Sequence, residues 1–202
     1  MKSTDRKSLE RACSADVERP HLRHTFASII WGHRWLVATD GHRLHALRDV
    51  PWHELGAALV DRPDAPPAAN VIYSEPEALE QRMRLAPEAL KPLRTVPRSW
   101  EVMVQAAAHG CTVEAWAKGT RVMLPCEPGW PFATQGERGV WFELRYMLDA
   151  VAFVAPRAPR FVDVYQHPRD ALRPLMLTDC RTPAAVKNNA TRLALVMPRR
   201  SA

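Results

Sequence analysis

The chain has 202 residues, of which 47% are hydrophobic and 25% are charged, enough for one large domain or up to two small ones. Its formal net charge of +6 favours polyanionic partners but does not specify a fold. No apolar run approaches the roughly 20 residues of a membrane span, and no apolar segment follows the charged N-terminus as in a secretory signal, so we expect a cytoplasmic protein.

The first predicted unit, residues 1–50, is a helix followed by three strands. Apolar residues recur at helical spacing from residue 5, and Pro20 interrupts the pattern, which predicts a helix ending near Glu18. Strands are predicted over residues 26–31, 34–38 and 42–47. The last two are joined by a polar turn over residues 39–41, in which Asp40-Gly41 is a strong short-hairpin signal because glycine accepts positive φ.

The second predicted unit, residues 70–125, follows a proline-rich connector. It begins with a short strand over residues 71–73. Ser74 has the position of an N-cap, and the helix that follows carries Leu79, Met83 and Leu85 or Ala86 on one face. Three strands are then predicted over residues 100–105, 111–117 and 120–124, with turn-forming residues between them.

The third predicted unit follows a connector rich in proline and glycine. It has a strand over residues 140–144, a helix over 145–155 and strands over 161–165, 175–179 and 192–198. The polar segment 180–190 joins the last two strands. A βαβββ pattern therefore occurs about three times, the first without its opening strand, which predicts an α+β fold with helices on one face of antiparallel sheets.

The sequence supports no metal, cofactor or catalytic site. His33, His42 and His45 are the nearest approach to a metal cluster, but strand residues three apart face opposite sides, and no carboxylate or cysteine joins them at metal spacing. No motif supports a Ser-His-Asp or Cys-His pair, so we predict no enzyme activity. The four cysteines are widely separated, which predicts reduced thiols. They are Cys13, Cys111, Cys126 and Cys180.

The block Ala38-Thr39-Asp40-Gly41-His42-Arg43-Leu44 is the most specific of several segments that resemble the bacterial DNA polymerase III β subunit, or β sliding clamp, family. Residues 194–199 are similar to the closing strand and tail of that family, residues 127–131 to its linker between domains two and three, and residues 142–151 to a strand-to-helix entry. The helix at 6–15 with residues 22–26 is similar to the segment before the first block. The resemblance covers about residues 6–200.

The resemblance implies a DNA-clamp-like fold of repeated half-domains. In the family each domain has two βαβββ halves, and helices line a central hole that encircles duplex DNA. Residues 1–125 would then be equivalent to the middle domain, with halves at 1–50 and 70–125. Residues 126–139 would be the linker, and 140–202 the second half of the last domain. An unpaired half-domain exposes a sheet edge, which favours self-association.

The resemblance also implies a peptide-binding pocket where the hairpin, the linker proline and the closing strand converge. Apolar side chains would form its floor, Gly41 would allow close backbone approach, and His42 and Arg43 would donate hydrogen bonds at the rim. Taken singly, an Asp-Gly turn and a strand ending in Val-Met-Pro are equally compatible with a structural role. The implied pocket residues are Arg23, Phe26, Thr39, Gly41, His42, Arg43, Leu44, Pro131, Leu195, Val196, Met197 and Pro198.

Contacts to duplex DNA would come from basic residues on helix faces, without sequence preference and with salt dependence. A solvated helix face is an equally open reading for any one of them. The candidates are Arg6, Lys7, Arg11, Arg82, Arg84, Lys91 and Arg145.

We therefore predict a non-enzymatic, nucleoid-associated processivity factor of DNA replication or repair. It would bind duplex DNA and tether a DNA polymerase or other proteins carrying clamp-binding peptide motifs. The alternative is a non-encircling, clamp-like interaction module of phage or plasmid type, which binds clamp-interacting peptides or clamp subunits.

Overall fold

A computed structural model describes residues 3–48, 50–51, 79–85, 87, 101–107, 110–117, 120–125, 140–156, 161–167 and 173–198. Within these ranges lie three α-helices: α1 (Ser3–Glu10), α2 (Leu144–Val154) and α3 (Pro183–Asn189). None of them is long and apolar enough to cross a membrane. The strands are β1 (Phe26–Ile30), β2 (His33–Thr39), β3 (Arg43–Arg48), β4 (Glu80–Leu85), β5 (Glu101–Ala107), β6 (Gly110–Ala117), β7 (Thr120–Pro125), β8 (Val140–Glu143), β9 (Val162–Gln166), β10 (Leu175–Thr178) and β11 (Arg192–Val196).

The first unit has the predicted helix and three strands. β1, β2 and β3 form an antiparallel meander, with Phe26 opposite Val37 and Thr39 opposite Leu44. The helix α1 ends at Glu10, so the prediction of a helix to about Glu18 is wrong. The chain instead leaves the helix at a turn, where the Ser14 N–H donates to the Leu22 carbonyl oxygen at 2.8 Å and fixes residues 14–22 as a loop.

The second unit contains one clear correction. Residues 80–85 form the strand β4, where the sequence predicted a helix. The apolar spacing of residues 79, 83 and 85 fits a helix face, yet the strand pairs antiparallel with β9 and has a bulge between Gln81 and Met83. The backbone hydrogen bonds to β9 stabilise the strand although the local spacing favours a helix. The predicted strand at 71–73 and the helix start at 74 lie outside the described residues, and the three following strands are confirmed as β5, β6 and β7.

The third unit matches the prediction except in one connection. β8, α2, β9, β10 and β11 occur where the sequence placed them. The segment 180–190, expected to be a polar connection, contains α3. Thr182 caps this helix by accepting a hydrogen bond from the Ala185 N–H at 3.3 Å, and Pro183 occupies its first turn, two standard signals of a helix start.

The strands form two antiparallel sheets. One has the order β1-β2-β3-β11-β10-β9-β4 and the other the order β7-β6-β5-β8. The second and third units each place a strand in the sheet of the other, because β4 pairs with β9 and β8 pairs with β5. The first unit joins the third through β3 and β11. The sequence predicts the first two units as one domain, without information on which strands pair. The observed pairing joins the first unit to the third instead. The domain bounds stay a prediction.

Two apolar cores cover the two faces of the seven-stranded sheet. One core lies under α1 and α2 and includes Leu9, Phe153 and Val196. The other includes Leu44, Leu195 and the α3 residue Val186. Alternation along each strand sends neighbouring residues to opposite cores. The α+β fold is confirmed, with α1 and α2 on one face of the sheet and the short α3 on the other.

Candidate functional site

The hairpin between β2 and β3 is held by two of its own side chains. The Thr39 hydroxyl donates to the Arg43 carbonyl oxygen at 2.6 Å and accepts from the Gly41 N–H at 3.1 Å. Asp40 Oδ1 accepts from the backbone N–H groups of His42 and Arg43 at 2.9 and 3.0 Å. Gly41 has φ +89°. The connection spans residues 40–42, so it is shifted by one residue from the predicted turn over residues 39–41.

Arg43 binds the hairpin to both neighbouring helices. Its Nη1 donates to Asp149 Oδ2 in α2 at 2.5 Å, its Nε donates to Asp40 Oδ2 at 3.1 Å, and its Nη2 donates to the Arg11 carbonyl oxygen beyond α1. The Arg43 side chain is only 11% exposed. Arg43 was predicted to donate hydrogen bonds to a ligand at the pocket rim, but all three of its side-chain nitrogens already donate to groups within the protein.

An aromatic and cationic cluster lies beside the hairpin. The His42 ring stacks on the Tyr146 ring, with centroids 6.2 Å apart and planes 8° apart. The guanidinium carbons of Arg43 and Arg145 each lie 4.7 Å from the Tyr146 ring centroid, within the range of cation–π attraction. Arg145 also forms an ion pair with Glu143. Tyr146 could not be added to the site from the sequence, because no local pattern shows that α2 begins against the hairpin.

The structure brings together the two predicted walls of the pocket. In the ladder between β3 and β11, Leu44 lies opposite Leu195 and Arg43 opposite Val196. Just beyond the ladder, the Met197 N–H donates to the His42 carbonyl oxygen at 2.8 Å. The hairpin and the end of the closing strand thus form one continuous surface, although they are far apart in the sequence.

Only part of the predicted pocket set is accessible. Phe26, Leu44 and Leu195 are buried in the core that faces α3, and Val196 is buried in the core under α1 and α2. These side chains would have to be uncovered to act as a floor. The accessible members at the hairpin and at the end of the closing strand are Gly41 and His42, which are exposed, and Met197 and Pro198, which are half-buried.

The remaining members of the pocket set have separate positions. Thr39 is buried and stabilises the hairpin. Arg23 is exposed and ends a 3₁₀ turn at Pro20–Leu22. It is Arg19 whose Nη1 lies near Gly41, 3.4 Å from the position of an added Cβ. Pro131 lies outside the described residues.

The predicted DNA contacts occupy different settings in the structure. On α1, Arg6 is exposed and pairs with Glu10 at 2.7 Å, and Lys7 is exposed. Arg11 lies just beyond α1, 3.7 Å from Asp149, whereas Arg145 belongs to the cluster beside the hairpin. Residues 82 and 84 lie in the strand β4, so their predicted position on a helix face is wrong. Residue 91 lies outside the described residues.

A cleft of about 500 Å³ separates α1 from the end of α2. Its most buried cation, Arg192, donates to Asp5 Oδ1 at 2.5 Å and to the Phe153 carbonyl oxygen at 2.6 Å. Asp5 therefore neutralises the charge of that guanidinium. The lining residues are Thr4, Asp5, Lys7, Ser8, Arg11, Ala152, Pro156 and Arg192.

His45 lies buried beside this cleft. Its Nδ1 is 3.1 Å from the Ser8 carbonyl oxygen, and its ring stacks on Phe153 with centroids 4.6 Å apart. Burial, with smaller contributions from Arg43 and Arg11, lowers the pKa of His45 to about 3. The neutral imidazole helps to attach α1 to α2 and β3. In the described part of the chain, no group of three His, Cys, Asp or Glu residues could hold a metal ion.

Comparison with known proteins shows similarity in structure alone. No family model matches the chain, and no curated protein matches it. A β sliding clamp from C. crescentus superposes with a TM-score of 0.68 and 17% identity, covering 98% of this chain and 62% of that chain. A sliding clamp from Pseudomonas aeruginosa gives 0.66 and 17%, with coverage of 98% and 65%. The β subunit of DNA polymerase from Streptococcus pyogenes gives 0.65 and 14%, with coverage of 100% and 65%.

The chain spans less than two thirds of the length of these proteins. The likeness extends over nearly all of its own residues. At identities of 14–17% the likeness shows the fold. The chain has the fold of the bacterial DNA polymerase sliding clamps.

Proposed function

We propose that this protein is a non-enzymatic, clamp-like accessory factor of DNA replication or repair. It binds duplex DNA without sequence preference and tethers a partner protein through a peptide-binding surface. One observation carries the proposal. Within a sliding-clamp fold, the hairpin and the closing strand lie side by side, joined by the hydrogen bond from the Met197 N–H to the His42 carbonyl oxygen at 2.8 Å.

The chemistry of this surface fits a short peptide ligand. His42 offers ring N–H and acceptor groups, and Met197 and Pro198 offer half-buried apolar surface. Methionine adapts to ligands of different shape. Burial of one Leu or Phe anchor contributes about 1.5–3 kcal/mol, so a few anchors give micromolar affinity.

Fluorescence anisotropy with a labelled peptide that carries Leu and Phe anchors tests the binding surface. We expect saturable binding in the micromolar range, and at least tenfold weaker binding by a variant that combines Met197→Ala with His42→Ala. Ile29→Ala is the matched control, since it truncates an apolar side chain that is 62% exposed on β1. Unchanged peptide binding by the double variant would show that Met197 and His42 do not form the peptide-binding surface.

Duplex DNA binding is supported by the net charge of +6 and by the exposed cations of α1. A titration of labelled duplex at several salt concentrations tests it. We expect log K to fall linearly with log salt, with a slope that becomes smaller by about one for each phosphate contact removed. The variant Arg6→Gln with Lys7→Gln should reduce the slope, and no detectable binding at about 50 mM salt would refute this part.

The alternative, a clamp-like interaction module that does not encircle DNA, is favoured by a specific observation. Three of the basic candidates have acidic partners: Arg6 pairs with Glu10, Arg11 with Asp149 and Arg145 with Glu143. This pairing reduces the positive potential available to phosphates. A stable monomer by light scattering that binds the peptide but no duplex would support the module over the encircling clamp.

A further inference from the structure

Arg145 faces the hairpin. It lies in the first turn of α2, and its guanidinium carbon is 4.7 Å from the centroid of the Tyr146 ring. The same ring stacks against His42, whose carbonyl oxygen accepts the hydrogen bond from Met197. Arg145 therefore shares one aromatic platform with the accessible part of the proposed peptide surface.

The two guanidinium groups that flank Tyr146 differ in availability. Arg43 uses all three of its nitrogens in contacts with Asp40, Asp149 and the Arg11 carbonyl oxygen. Arg145 is 47% exposed, and its described contacts are an ion pair from Nε to Glu143 and a hydrogen bond from Nη2 to Tyr146 Oη at 2.8 Å. A guanidinium has five N–H donors, so Arg145 keeps donors that can meet a ligand.

The three carboxylates around the cluster are each paired with an arginine. Asp40 and Asp149 are paired with Arg43, and Glu143, whose side chain is 16% exposed, is paired with Arg145. Contacts with Glu143 and Tyr146 hold the guanidinium in place, which reduces the entropy that it would lose on binding a ligand. An anion that approaches His42 therefore meets a fixed, half-exposed cation on the same Tyr146 ring.

We propose that Arg145 and His42 form an anion-binding edge of the peptide surface and select peptides that carry an acidic residue beside their apolar anchors. This inference rests on the proposed peptide-binding function. It assigns Arg145 to partner selection instead of the DNA contact that its basic character first indicated.

Two labelled peptides that differ only by Asp or Asn next to the same Leu and Phe anchors test the inference by anisotropy. The wild-type protein should prefer the Asp peptide by about threefold to fivefold, the range expected for a partly exposed ion pair. The preference should shrink at high salt because exposed charges are screened.

Variants of the cluster make the test specific. Arg145→Gln should abolish the preference and leave the affinity for the Asn peptide unchanged, Arg145→Lys should keep part of it, and Glu143→Gln should increase it by removing a competing carboxylate. Arg181→Gln, at an exposed arginine before α3, is the control and should keep the full preference. Duplex affinity should be the same in Arg145→Gln and wild type.

Each failure has its own signature. If neither peptide binds the wild-type protein, the proposed function itself is wrong. If both peptides bind equally well, the peptide surface stands and the anion-binding edge is refuted. If Arg145→Gln weakens both peptides by the same factor, Arg145 only supports Tyr146, and the inference is refuted as well. A loss of duplex affinity in Arg145→Gln would show that Arg145 contacts DNA and would refute its assignment to partner selection.

Discussion

The Met197 N–H donates to the carbonyl oxygen of His42 at 2.8 Å, one position beyond the ladder in which Arg43 lies opposite Val196. This bond fixes the distance between the hairpin and the segment that follows β11. A ligand that contacts one of them also meets the other. Substitutions that loosen the hairpin should therefore affect binding at Met197 without touching that residue.

Asp149→Asn should lower the free energy of unfolding by about 2–3 kcal/mol, because it leaves the Arg43 guanidinium partly buried without its closest charge partner. The two side chains are 17% and 11% exposed, so solvent screens this pair only weakly. Urea denaturation followed by circular dichroism measures the loss. Glu10→Gln, which breaks the exposed pair with Arg6, is the control and should cost under about 0.5 kcal/mol. Equal losses of stability in Asp149→Asn and Glu10→Gln would contradict a stabilising role for the partly buried pair of Arg43 with Asp149.

Thr39→Val should destabilise the protein by about 1–2 kcal/mol, since it removes the hydroxyl that bonds the Arg43 carbonyl oxygen and the Gly41 N–H without changing side-chain volume much. Thr39→Ser keeps the hydroxyl and should recover most of the stability. Thermal unfolding of the three proteins gives the comparison. A valine variant as stable as wild type would show that these bonds contribute nothing.

Gly41→Ala and Gly32→Ala should each cost about 1–2 kcal/mol, because both glycines have positive φ, +89° and +75°, where an L-residue is strained. Only Gly41→Ala should also weaken peptide binding, because Gly41 belongs to the hairpin that contacts Met197. Anisotropy with the anchored peptide separates the two variants. If Gly41→Ala and Gly32→Ala bind the peptide equally well, the hairpin is not part of the peptide-binding surface.

His45 should make stability fall in acid. Burial lowers its pKa from 6.5 to about 3, so between these values the unfolded chain binds a proton that the folded protein does not. Stability from this group is complete above about pH 6.5 and is lost as pH falls, by up to about 1.4 kcal/mol per pH unit. His45→Phe keeps the stacking on Phe153 and should flatten the slope between pH 6 and pH 4 relative to wild type.

Denaturation at a series of pH values measures this difference, and the carboxylates that also titrate there cancel because they are present in both proteins. Parallel slopes for wild type and His45→Phe would show that His45 titrates alike in the folded and unfolded states.

Much of the first unit could be predicted because its signals are local. Asp40 and Gly41 indicated the hairpin through turn chemistry, and the alternation on either side of them indicated β2 and β3. The helix α2 and strands β8 to β11 followed from periodicity in the same way. Thr182 and Pro183 are equally local signals for the start of α3. The helix was not predicted because the segment is polar and was interpreted as a connection.

The candidate site could be predicted only in part. The residues of the hairpin and the closing strand were recognisable, and the structure places them together. Their accessibility was not predictable, since the burial of Leu44 and Val196 depends on which core each strand face meets. The engagement of Arg43 by Asp149 and the stacking of His42 on Tyr146 depend on where α2 begins in space, which no local pattern records.

The sequence by itself determined the α+β class and the hairpin, because these depend on neighbours within a few residues. Only the tertiary structure decided that residues 80–85 form a strand, that β4 pairs with β9 and β8 with β5, and that β3 joins β11. The physical reason is that a strand obtains its hydrogen bonds from a partner that can lie anywhere in the chain. The same holds for Arg43, whose charge the sequence shows and whose partners only the fold supplies.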